Sequence, residues 1–172
     1  MALLETIFII YTQPAWSTNL TLRVTKAPKI YLGDTGLFSY LLDITIEKTI
    51  KAGIYDDNIH AGKIIENFVL NELRKQATWS KKEVKFYHFR TSNGEEIDIL
   101  LQDRSGNVVG IEVKSNSKVT PEDFRGLKYL KEKAKDKFIK GIVLYARSQT
   151  VPFGENFFAL PINSLWEEIA SF

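Results

Sequence analysis

Two short strand-like runs joined by a readable turn constrain the fold of this chain more than any other feature. The first runs from Glu96 to Gln102 and the second from Val108 to Lys114. Between them, Arg104-Ser105-Gly106 is flanked by Asp103 and Asn107, which predicts a three-residue hairpin loop with Gly106 in the left-handed conformation. In such a hairpin the numbers of facing residues sum to a constant. Asp98 then faces Glu112, and Glu96 faces Lys114. Like charges placed opposite each other destabilise a sheet, so two facing carboxylates imply that something positive belongs between them.

Period-two alternation extends this expectation. It sends Ile97, Ile99, Leu101, Val109, Ile111 and Val113 to one face, where a helix can cover them. Glu96, Asp98, Leu100, Gly110, Glu112 and Lys114 go to the other, and Gly110 leaves open space beside Glu112. Magnesium favours hard oxygen ligands, usually one or two carboxylates with the rest from water and substrate phosphate. Asp98 and Glu112 fit that role, with the Val113 carbonyl as a third protein ligand. A metal held there lowers the pKa of a water and stabilises charge on an attacked phosphate. Lys114 is placed to orient that water or to neutralise developing charge. Glu96 either reaches the metal indirectly or pairs with Lys114.

A chain of 172 residues, 44% hydrophobic and 26% charged, has room for one ordinary globular domain and a small appendage. It has no cysteine, which excludes disulfides, thiolate metal sites and cysteine nucleophiles. A net charge of +2 permits a local nucleic-acid patch without arguing for one. The apolar start, Leu3 to Ile10, is too short to span a bilayer and lacks the marks of a secretory signal, so a cytoplasmic protein without membrane contact is the expectation.

The pattern predicts a short N-terminal helix and strands at Ile7–Tyr11, Leu20–Val24 and Lys29–Leu32. A short helix capped by Asp34 follows, and then a main helix from Ala61 to Gln76. On that helix Ile65, Phe68, Val69, Glu72 and Leu73 form one side, with Lys63, Asn67, Asn71, Arg74 and Lys75 on the other. Strands at Val84–Arg90, Glu96–Gln102 and Val108–Lys114 precede a helix at Pro121–Lys135. A central apolar strand follows at Phe138–Tyr145. The tail adds a strand and a helix carrying Leu165, Trp166 and Ile169, its Phe and Trp residues being read as core. The hairpin and the helical crossover imply an α/β fold with a mixed central sheet flanked by helices.

Asp98 followed by Glu112-Val113-Lys114 on adjacent strands resembles the PD-(D/E)XK core of restriction endonucleases and junction resolvases. That resemblance implies a further acid on the first core helix, for which Glu66 is placed. A closer resemblance covers most of the chain. Lys26 to Leu37, Gly62 to Val69, Phe89-Arg90-Thr91 with Gly94 to Asp98, and Ile111 to Ser115 are similar to the C-terminal domain (domain of unknown function 4143) of prokaryotic AAA+-like ATPases. It implies a nuclease-like domain at 36–172, a winged-helix remnant and connector at 1–35, and an N-terminal ATPase as partner. No GxxxxGK[ST] phosphate loop occurs in the sequence, so the expectation is a C-terminal piece, a stand-alone relative or a fragment.

These readings combine into magnesium- or manganese-dependent phosphodiester hydrolysis on DNA, with Asp98, Glu112, Lys114 and Glu66 as the catalytic set. Arg23, Lys26, Lys29, Arg90 and Lys118 are the candidate nucleic-acid contacts. Against this stand plainer readings. An ExK pair is often a surface ion pair, Glu66 can form a salt bridge within its helix pair, and Arg90 can pair with Glu95 or Glu96. The rival functions are an inactive DNA- or protein-binding module of an ATPase and a part whose exposed strands drive homo-oligomerisation. His60 and His88 lack a partner pattern and receive no catalytic role.

Overall fold

A computed structural model describes residues 2–18, 27–44, 59–91 and 94–167. In chain order the elements are α1 (Ala2–Thr6), β1 (Ile10–Gln13), β2 (Lys29–Leu32), α2 (Thr35–Leu41), α3 (Ile59–Trp79), β3 (Val84–Arg90), β4 (Glu96–Asp103) and β5 (Val108–Lys114). A 3-10 turn at Pro121–Phe124 leads into α4 (Arg125–Ala134), followed by β6 (Phe138–Tyr145), β7 (Val151–Pro152) and β8 (Phe157–Pro161). The main sheet has six strands in the order β3-β4-β5-β6-β8-β7, and β1 pairs with β2 in a separate antiparallel pair.

The sheet is mixed. β3, β4 and β5 are antiparallel neighbours, β5 pairs with β6 and β6 with β8 in parallel, and β7 returns antiparallel to β8. The α4 crossover supplies the parallel step between β5 and β6, as expected from its length. β6 lies inside the sheet and is covered on both faces, which is why its sequence is nearly all apolar. On one face Phe124, Leu127 and Leu130 pack with Ile97, Leu100, Val143 and Phe157. On the other, Val69 and Leu70 of α3 pack with Ile99, Ile111, Leu144 and Leu160.

The hairpin register matches its turn. Ile99 faces Ile111, Leu100 faces Gly110 and Gln102 faces Val108, each pair summing to the constant set by the loop. Gly106 takes φ +84°, and Asp103 holds the turn by accepting the Asn107 N–H at 2.9 Å.

Strict alternation, however, fails at Asp98. Tyr87 faces Leu100 while Phe89 faces Ile97, so His88 alone stands opposite both Asp98 and Ile99. This extra residue is a β-bulge, a device that re-aims side chains. Ile97 and Leu100 consequently enter the same cluster around Leu127, while Ile99 joins the α3 side. The space expected beside Gly110 is also filled. A Cβ there would lie 2.7 Å from a methyl of Leu127 and 2.9 Å from one of Leu130, so the glycine serves the close packing of α4.

Other departures have local causes. The first strand begins at Ile10 rather than Ile7, because the amides of Ile7, Phe8 and Ile9 bond back to carbonyls of α1 and cannot join a ladder. Among the described residues the last element of the tail is a 3-10 turn at Ile162–Leu165, and Trp166 is 53% exposed while Phe157 is core. The strand expected at Leu20–Val24, along with Arg23, Lys26 and Ile169, lies outside the described residues. Asp34 caps α2 as expected, its Oδ1 accepting the Leu37 N–H at 2.6 Å.

Candidate acid-lysine site

At the open end of the hairpin the β4–β5 ladder stops after Ile99–Ile111. One residue further, the Asp98 side chain takes the place of main-chain pairing, its Oδ2 accepting the Val113 N–H at 3.0 Å. The bulge turns Asp98 toward α3. A cleft of about 530 Å³ opens here, lined by Lys29, Lys63, Glu66, Glu96, Asp98 and Glu112 among others. The acid predicted on the first core helix is present. Glu66 faces the cleft, where it accepts a short hydrogen bond from the Tyr31 hydroxyl.

The cation nearest these acids is Lys29 rather than Lys114. Its Nζ lies 3.1 Å from Glu66, 3.0 Å from Glu96 and 3.2 Å from Asp98. Burial alone would weaken this ammonium, but Asp98, Glu66 and Glu96 more than offset that and raise its pKa. Lys29, expected among the nucleic-acid contacts, is therefore turned inward. Glu96 does not face Lys114 but pairs with Lys29 and more distantly with Arg90 at 4.0 Å, because the regular ladder ends before reaching it. Burial pushes the Glu96 carboxyl up, yet the bond from Lys29 prevails and holds it below its usual value.

Lys114 serves the other acid. Its Nζ lies 3.1 Å from Glu112 Oε1 and 3.8 Å from Asp123, and these acids raise its pKa against the opposing effect of burial. Burial and the nearby Asp98 push Glu112 up to about 8, with Lys114 acting in the opposite direction. Asp98 is likewise raised, by burial first and Glu66 second, with Lys29 and the Val113 N–H offsetting part of the effect. Glu112 Oε2 is buried and has no hydrogen-bond partner.

How β2 delivers Lys29 and Tyr31 was not visible in the helical pattern. Asn67 and Asn71, expected on the polar side of α3, are buried, Asn67 to 1% exposure. Asn67 Oδ1 accepts the Leu32 N–H at 3.0 Å and its Nδ2 donates to Leu32 O at 3.1 Å. Asn71 Nδ2 also donates to Leu32 O, at 3.0 Å. Two amides at i, i+4 spacing thus clamp β2 onto the helix, and alternation along β2 then points Lys29 and Tyr31 at Glu66. That i, i+4 amide pair was the available signal. The remaining expected contacts, Arg90 and Lys118, are exposed, and Arg90 reaches the acid cluster at its edge through Glu96.

Among the described residues, no three acidic or histidine side chains converge as a ready metal site. Glu66, Glu96 and Asp98 converge on Lys29 instead. Asp98 and Glu112 still suit a hard cation that keeps most of its waters, since Asp98 is buried, Glu112 is half-buried, both are raised in pKa and the buried Glu112 Oε2 lacks a partner. Among the described residues, the carboxylates of Glu66, Glu96, Asp98 and Glu112 line the cleft together with the cations Lys29 and Lys63.

Fold and site together define a mixed α/β domain with an acid-lysine cluster at the splayed end of a hairpin. The chain belongs to the family described as Domain of unknown function (DUF4143), whose model matches residues 61–165. Residues 1–48 match a second model, Domain of unknown function (DUF8612). An uncharacterized protein of Mycobacterium bovis and one of Mycobacterium tuberculosis are each 31% identical over 113 residues, which is 66% of this chain and 23% of theirs. The chain thus spans about a quarter of the length of these curated relatives. No solved structure matches. No helix among the described residues is long and apolar enough to cross a membrane.

Proposed function

We propose that this domain hydrolyses a phosphodiester in DNA, using a divalent cation, magnesium or manganese, held by Asp98 and Glu112. The observation carrying this reading is the buried Glu112 Oε2 without a hydrogen-bond partner, next to a buried acid, Asp98. A polar oxygen is costly to bury unpaired, the more so once ionised, and a cation would remove that cost. When bound, such a cation supplies Lewis acidity to water and phosphate.

The chain's own groups have separable roles in this reading. Lys114, held by Glu112 and Asp123, keeps a positive charge beside the scissile phosphate to stabilise charge as it develops. Glu66 acts as the auxiliary acid by fixing Lys29. Exposed Arg90 and Lys118 contribute phosphate contacts outside the cleft. The PD-(D/E)XK resemblance and an ATPase as partner belong to the same proposal. The test is cleavage of labelled DNA in magnesium or manganese. Asp98→Ala and Lys114→Ala are each expected to reduce cleavage at least about a hundredfold, and cleavage indifferent to both changes would overturn the reading.

One observation favours a second reading, a binding module without catalysis. Lys29 already pairs with three of the acids, as in a cluster kept for structure. DNA or protein binding that persists without metal and in Asp98→Ala, with no cleavage, would decide for it.

A further inference from the structure

Lys29 sits at the meeting point of three carboxylates. Its ammonium is within 3.2 Å of oxygens from three carboxylates carried by two elements, Glu66 on α3 and Glu96 and Asp98 on β4. The arrangement is built rather than incidental. Asn67 and Asn71 clamp Leu32 three residues further along β2, and Tyr31, buried against α3, bonds the same Glu66 oxygen. β2 is thus anchored at one end with its two inward side chains meeting one acid. Glu112, by contrast, has an open oxygen and no contact with Lys29 among the hydrogen bonds and ion pairs of the site.

Resting on the metal reading of Asp98 and Glu112, we propose that Lys29 is the site's permanent second cation, so that the chain binds one exchangeable divalent ion rather than two. Glu66 and Glu96 are then ligands of an ammonium and not of a metal. A lysine differs from a metal in that it cannot be removed by chelators and polarises no water. Its work is to position Asp98, whose Oδ1 it holds while Oδ2 is held by the Val113 N–H.

The test counts manganese ions by calorimetry on the whole chain. One ion per chain is expected for the native protein and for Lys29→Arg, and two for Lys29→Gln, with manganese raising the melting temperature of Lys29→Gln more than that of the native protein. Two ions in the native protein, or no added site in Lys29→Gln, would overturn the inference while leaving the metal reading intact. No ion in the native protein would overturn that reading and this inference with it. A second measurement needs no variant. The Lys29 ammonium signal in NMR of the native protein should stay protected from exchange at saturating magnesium, and its release to the position of a free lysine would contradict the proposal.

Discussion

Glu112 lines the same cleft as Asp98, whose charge adds to the effect of burial in raising the Glu112 pKa. The Glu112 carboxyl, pushed up to about 8 from an ordinary 4.5, keeps its proton in the folded metal-free protein over a range where the unfolded chain has lost it. The sign follows from linkage: the native state binds more protons there, so stability falls as pH rises from about 4.5 toward about 8. Urea unfolding in the presence of a chelator should show that decline, and Glu112→Gln should flatten it. A native protein no less stable at about pH 8 than at about pH 5, relative to Glu112→Gln, would contradict the assignment. Asp98, Glu112 and Lys114 could be singled out from the hairpin turn although its ladder ends at Ile99–Ile111, and Glu66 from the resemblance that asks for an acid on the first core helix. Lys29 and Tyr31 could not, since nothing in Lys29-Ile30-Tyr31-Leu32 tells where that strand will lie.

Two elements give the site its shape, and each hides its main device from pattern reading. β4 looks like a regular strand, and its span was readable to within a residue. The bulge opposite His88 appears only when β3 is paired with it, because bulges are settled by the partner strand rather than by composition. Without it Asp98 would turn away from Ile99 and from α3. On α3, Asn67 and Asn71 resembled solvent-facing polar residues, yet they satisfy the backbone of Leu32 and Gly33. Replacing Asn67 by alanine leaves the Leu32 N–H without its partner, at a cost of roughly 1–3 kcal/mol. Denaturant unfolding of Asn67→Ala should register that loss. The same variant should also let Lys29 amide and ammonium protons exchange faster, since β2 loses an anchor. Unchanged stability and exchange would show that the clamp does not hold the strand.

For the molecule as a whole, the mixed sheet, the α4 crossover and the central β6 were legible because they follow from hydrophobic runs and connection lengths. The joining of the N-terminal strands to the sheet domain was not, because it depends on contacts between residues far apart in the chain, such as the Trp16 N–H to His88 O and Lys29 to Glu66. Those contacts make the site a product of both matched segments, residues 1–48 and 61–165: one supplies Lys29 and Tyr31, the other the carboxylates and Lys114. The proposed function requires that these parts leave room for one divalent cation between Asp98 and Glu112. Anomalous scattering from a crystal soaked in manganese tests it most directly. A single peak within coordination distance of both carboxylates, with Lys29 still seated among Glu66, Glu96 and Asp98, is the predicted result. No peak at the cleft, or a peak in the place of the Lys29 ammonium, would contradict it.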